Sequence, residues 1–342
     1  MYNRRGLLAG LALSAMGMGS CARKTTLQKS DPSALKTRYH FPIGAIAKTA
    51  DLRDQSFTSL LTTHFDHFTP EWEMKMEYML QDGGQVRFDA PDQLLSFAKA
   101  HDLRVHGHTL IWYDQDKSPY FQSLKANKSS FSKAYNDYIA AVMSHYKGQL
   151  MGMDVVNEAL DEDGQWRPCL WLEVLGPDYI EQAFRAAKAA DAATPLFIND
   201  YNLESNPKKR LAFMKRVEAL LKRDVPIDGI GTQTHIDANL PPEALTLALK
   251  DLASLGLKLH VSEVDISLYD ASHNPFNLPR LRQKQIALIH ELTKAYGDLP
   301  EAQRYGLTFW GMRDRDSWLT RRPDAGWDEP NLFDTKGQIK PI

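Results

Sequence analysis

Met151-Gly-Met-Asp-Val-Val-Asn157-Glu158 and Leu259-His-Val-Ser-Glu263-Val-Asp265 decide how this chain reads. Each is an apolar run of strand length that stops where an acidic residue appears, and the two glutamates lie about a hundred residues apart. Short, continuously apolar runs are the mark of strands covered on both faces. A glutamate at such a strand end is placed for chemistry rather than packing, because burying an unpaired carboxylate is costly. Two carboxylates, one protonated and one ionised, are also the minimum equipment for cleaving a glycosidic bond.

The same alternation extends outward in both directions. Strands are expected over 41–45, 64–69, 104–109, 152–157, 195–199, 229–234, 258–262 and 305–309. Between them lie helical periodicities such as Pro91-Asp-Gln-Leu-Leu-Ser-Phe-Ala-Lys-Ala100. Asn206-Pro207 and Pro241-Pro242 stand at helix starts, where proline is tolerated. Eight strands with intervening helices, unbroken by a linker, predict a single α/β domain over residues 38–342, a (β/α)8 TIM barrel. That fold carries its chemistry at the C-terminal strand ends. Polar residues gather there in seven of the eight strands: Glu71, Trp72 and Lys75; His106, His108 and Trp112; Asn157 and Glu158; Asn199, Tyr201 and Asn202; Gln233 and His235; Glu263 and Asp265; Trp310, Asp314 and Trp318. Strands four and seven face each other across the barrel mouth, so Glu158 and Glu263 meet over a bound substrate.

Composition narrows the alternatives. A formal charge of −2 over 342 residues gives no electrostatic case for nucleic acid or an anionic membrane surface. The seven Trp and thirteen Tyr suit the flat faces of sugar rings but also fill cores. No His or Cys cluster has metal-ligand spacing, although His106 and His108 point the same way on one strand, and neither Gly-x-Ser-x-Gly nor a phosphate-cradling glycine loop occurs. No metal or cofactor is expected. The start of the chain is separable. Asn3-Arg4-Arg5-Gly6, an apolar stretch from Leu7 to Met16, and Met18-Gly19-Ser20-Cys21 resemble a twin-arginine export signal ending in a lipobox, over residues 1–21. Residues 22–37 are polar and without period, as a flexible tether would be. The protein is therefore expected outside the cytoplasm, as a periplasmic, outer-membrane or extracellular monomer, touching membrane only through a lipid on Cys21. Cys169 alone remains after processing, and reads as a small packed hydrophobe.

Taken together, His106-Gly-His-Thr-Leu-Ile-Trp112, Asp154-Val-Val-Asn157-Glu158-Ala159, Asn199-Asp-Tyr-Asn202, Gln233-Thr-His235, Ser262-Glu263-Val-Asp265 and Trp310-Gly-Met-Arg-Asp314 resemble glycoside hydrolase family 10, the retaining endo-β-1,4-xylanases, from about residue 40 to the end. The resemblance implies Glu158 as acid/base and Glu263 as nucleophile. A proton on the acid is expected from partial burial and from the neighbouring carboxylate. It implies Asn157 on the 2-hydroxyl of the sugar at the cut, with His235 and Asp265 holding Glu263. Glu71, Lys75, His108 and Trp112 would contact sugars upstream, walled by Trp310 and Trp318. Gln233 would bond near the cleaved linkage, with Tyr201 and Asn202 on the leaving-group side. The family's Glu-Asn-Glu-Met-Lys is here Glu71-Trp72-Glu73-Met74-Lys75, and an indole cannot accept a hydrogen bond where the Asn binds a sugar. Trp72 is thus a specificity departure. Tyr113 stands where His is usual, and Arg313 adds bulk and charge where a small residue is common. Xylan or xylo-oligosaccharides are the expected substrates. Two other readings stay open: a retaining hydrolase of another β-linked polymer, such as a glucan or bacterial exopolysaccharide, and an inactive barrel that only binds carbohydrate.

Overall fold

The eight strands form and close. The computed structural model describes residues 33–115, 117–269, 275–321 and 328–341. Its barrel strands are β1 (Ile43–Ala47), β2 (His67–Pro70), β3 (Arg104–Gly107), β4 (Gly152–Asn157), β5 (Leu196–Asp200), β6 (Gly229–Thr232), β7 (Lys258–Ser267) and β8 (Arg304–Phe309). Neighbouring strands pair in parallel in chain order, and β8 bonds both β7 and β1, with Ile43 opposite Leu307. Closure leaves no open barrel edge for another chain to pair with. The chain is a (β/α)8 TIM barrel.

Strands β1, β2, β4, β5 and β6 are buried at every residue, so their side chains do not alternate between a buried and a solvent face. The core fills the space between barrel and helices with Phe131, Tyr135, Trp171, Phe184, Phe213 and their neighbours. Each such side chain contributes about 1.5–3 kcal/mol by leaving water. Cys169 packs half-buried against it. The helices start where short polar side chains can take their orphan amides. Asp54 accepts from Ser56 and Phe57 ahead of Gln55–His64, and Asn206 accepts from Lys209 ahead of Pro207–Leu221.

Several boundaries move. The sequence ends strand seven near Glu263, whereas β7 continues to Ser267 and buries Glu263 and Asp265 within it. Polar residues do not stop a strand whose side chains find partners in the barrel mouth. The run expected from 64 begins at His67, because His64 closes the preceding helix. The Pro241-Pro242 helix starts only at Ala244, behind Glu243 with φ +66°. Residues assigned to the tether join the body: Leu35 opens a short helix and is buried in the core, and its amide meets His64 Nδ1 at 3.4 Å. The export signal, Cys21 and the rest of the tether lie outside the described residues. Among the described residues no helix is long and apolar enough to cross a membrane.

Candidate active site

The C-terminal strand ends surround one cleft of about 1070 Å³. Glu71, Trp72, Lys75, His108, Trp112, Asn157, Glu158, Tyr201, Asn202, Gln233, His235, Glu263, Asp265, Trp310 and Trp318 all line it, so every site residue expected in the barrel comes together there.

Glu263 is not an exposed strand end but is 4% exposed. Its Oε1 accepts from Asn199 Nδ2 at 2.8 Å, and its Oε2 lies 3.3 Å from His235 Nε2. Burial pushes the Glu263 carboxyl up, yet His108, the His235 hydrogen bond and charge, and Lys75 outweigh it and leave the group below its ordinary value. Glu263 is therefore held ionised. His235 is fixed in turn. Its Nδ1 lies 2.8 Å from Asp265 Oδ2, and the same oxygen accepts from Trp318 Nε1 at 2.7 Å. Burial pulls His235 down, but Asp265 and then Glu263 raise it to about 10, so it is an imidazolium at neutral pH.

Glu158 follows β4 directly, is only half-buried, and adopts φ +56°, a backbone rare outside glycine. Amides meet its carboxylate: Gln233 Nε2 at 3.0 Å and Asn157 Nδ2 at 3.3 Å, both on Oε1. Asn157 Oδ1 accepts from Asn199 at 2.9 Å and from Gln233 at 3.2 Å, so an unbroken amide chain joins the two carboxylates. The sequence motif assigns Asn199 no role, because its job appears only when β4, β5 and β7 are side by side. It fits because β6 offers Gly231, where a Cβ would land on the Asn199 side chain. Tyr113 and Arg167 also stand near Glu158. The Arg167 guanidinium lies 4.3 Å from the Tyr113 ring centre and 5.4 Å from that of Tyr201.

At the other end, Lys75 is 5% exposed and its ammonium sits 4.7 Å from the ring centre of Trp72, 4.8 Å from Trp112 and 5.9 Å from Trp310. Burial leaves the Lys75 amine below its ordinary value, although Glu263, Glu158 and Glu71 offset part of that fall. Glu71 is paired with Lys48 at 2.8 Å. Arg313 does not add charge to the cleft. It turns away to Asp316 and to Asp54 and Ser56 at the start of Gln55–His64.

Beneath the cleft, His106, Asp154 and His260 bring ligand atoms within 4.8 Å of one another, a cluster that sequence spacing did not show. The first two sit close together: His106 Nε2 lies 3.1 Å from Asp154 Oδ1, although neither atom completes a hydrogen bond, and the Tyr305 hydroxyl lies 2.9 Å from His106 Nδ1. Asp154 Oδ2 holds His108 Nδ1 at 2.8 Å, and His260 shares the Thr308 hydroxyl with His67. Burial drives His67 and His260 well below their ordinary values, so both are neutral.

The family model for glycosyl hydrolase family 10 matches residues 33–342. An endo-1,4-beta-xylanase A of Thermoanaerobacterium saccharolyticum is 36% identical over 332 residues, covering 92% of this chain but 28% of that relative's length. An endo-1,4-beta-xylanase of Geobacillus stearothermophilus is 35% identical over 318 residues, covering 88% of this chain and 93% of the relative. The crystal structure of native xylanase 10B from Thermotoga maritima superposes with a TM-score of 0.82 at 30% identity, over 90% of this chain and 95% of that one.

Proposed function

The chain belongs to glycosyl hydrolase family 10, and from that premise we propose that it is a retaining endo-1,4-β-xylanase with Glu263 as nucleophile and Glu158 as acid/base. One observation carries this assignment: a buried, ionised Glu263 held by Asn199 and His235, in the same cleft as a half-open Glu158 held by neutral amides. In the first step a Glu263 oxygen bonds to C1 of the sugar as the C1–O bond to the leaving sugar breaks. The departing oxygen takes the Glu158 proton. In the second, Glu158 as carboxylate removes a proton from water, the water oxygen bonds to C1, and the bond to Glu263 breaks and restores its carboxylate. The Asn157 amide, tied to Asn199 and Gln233, is set to meet the 2-hydroxyl of the sugar at the cut. Gln233 holds the Glu158 carboxylate on the side where the linkage breaks, and Tyr201 and Asn202 form the leaving-group side.

Xylan is the default polymer, supported by the xylanases to which the chain is similar. Trp72 favours a narrower reading of the upstream end. Its indole lines the cleft and covers the Lys75 ammonium. We assign it a preference for short, decorated or non-xylan β-linked chains over plain xylan. Export, and lipidation at Cys21, rest on residues 1–21 alone, and the polysaccharide is the one partner assigned to a monomeric enzyme. Xylohexaose followed by proton NMR tests the assignment. Newly formed reducing ends are expected first in the β configuration, with a product pattern displaced from xylobiose. Products that appear first as α anomers would overturn the retaining mechanism, and ordinary xylobiose release with full xylan activity would overturn the role of Trp72.

A further inference from the structure

Glu158 carries the reacting proton in the scheme above, yet its backbone is in a left-handed conformation that strains a non-glycine residue and persists only when its surroundings hold it. The Glu158 amide donates to Asn199 O at 2.8 Å. The Glu158 carbonyl accepts from Arg167 Nε at 3.1 Å. Arg167 Nη2 then donates to Leu160 O at 2.6 Å and to the Tyr201 hydroxyl at 2.8 Å. The Arg167 amide returns to Ala159 O at 2.8 Å. Arginine alone offers such a fork, because its donors are fixed in one plane and its faces can stack on aromatic rings. Both requirements are met here: the guanidinium stacks against Tyr113 and also lies beside the Tyr201 ring. Leu160 N donates to Asp200 Oδ2, which pins the same turn to the end of β5 from the opposite side.

We infer that Arg167 is a positioning residue for the acid/base: it locks Glu158, at the head of the Glu158–Leu160 turn, in the left-handed conformation that aims the carboxyl at the departing oxygen, and ties that turn to Tyr201 on the leaving-group side. This rests on the assignment of Glu158 as acid/base. Arg167 makes no bond with the Glu158 carboxylate in this arrangement; it acts through the backbone. Losing it should therefore slow only bond cleavages that need a well-aimed proton.

Two aryl xylobiosides separate that role from general damage. In phenyl β-xylobioside the leaving phenol is as weakly acidic as tyrosine and must be protonated as it departs. In 2,4-dinitrophenyl β-xylobioside the leaving group departs unaided, and both aglycones are single rings that fill the same space. For Arg167→Met, kcat/KM on the phenyl substrate is expected to fall ~10²-fold, the scale of a misplaced catalytic group, against less than about threefold on the dinitrophenyl substrate. Arg167→Lys, which keeps one donor but not the fork, should fall between. The ratio of the two kcat/KM values does not depend on how much of a variant is folded, so a poorly folding variant still decides the matter. Glu158→Ala serves as the reference. If it shows the selective loss and Arg167→Met loses both activities equally, or neither, the inference is overturned. If Glu158→Ala itself shows no selectivity, the acid/base assignment fails, and the role of Arg167 with it.

Discussion

The two carboxylates share a cleft but not an environment. Glu263 is buried inside a strand, with an imidazolium on one oxygen and an amide on the other, and His108, His235 and Lys75 together hold it ionised. Glu158 lies one residue past a strand, half-open, met by two amides and suspended on a left-handed backbone. Cations fix both the position and the charge of a carboxylate, because a nearby opposite charge favours its ionised form. Amides fix position and favour one charge state far less. Under the proposed mechanism the same functional group serves as a standing nucleophile on one strand and a proton carrier on another, and the fold makes the difference by choosing neighbours.

That contrast can be broken from the Glu263 side. Asn199→Ala removes the donor to Glu263 Oε1 and also the link to Asn157. Loss of one preorganised donor to a reacting oxygen costs ~10²-fold in kcat, and that drop is expected on phenyl and dinitrophenyl xylobiosides alike, since the nucleophile serves both. A selective loss on the phenyl substrate would place Asn199 with Glu158 instead and dissolve the division.

A smaller effect should appear in stability against pH. His235 has its folded pKa raised from 6.5 to about 10 by Asp265 and Glu263. A raised pKa stabilises the fold fully below the unfolded value, and the gain is lost as pH climbs through the folded one. Between pH 7 and 10 the wild-type melting temperature should therefore fall by a few degrees more than that of His235→Gln, which has no such charge to lose. Parallel curves would show that the imidazolium does not hold Glu263.

The barrel, and the meeting of both glutamates in its mouth, are legible in the sequence because short apolar runs recur along the chain with polar residues clustered at one end of each. The extent of β7 is not, since Glu263 and Asp265 look like a stop when their partners, His235 and Asn199, are distant in the chain. Asn199 was visible as a letter in a motif, but its role depends on three strands lying side by side and on the space at Gly231. Arg167 stands in a loop with no periodicity to mark it, and its targets are two backbone carbonyls and the hydroxyl of Tyr201, distant in the chain, which no local side-chain pattern records. Arg313 misled in the other direction. Its charge reads as an addition to the cleft, whereas Asp54 and Asp316 draw it into the packing behind.

The division of labour between the two glutamates is tested most directly by trapping. The enzyme is incubated with a 2-fluoro xylobioside bearing a dinitrophenyl leaving group, digested, and sequenced by mass spectrometry. One fluoroglycosyl group is expected, on Glu263. A label on Glu158 or any other residue, or turnover with no covalent adduct, would contradict it.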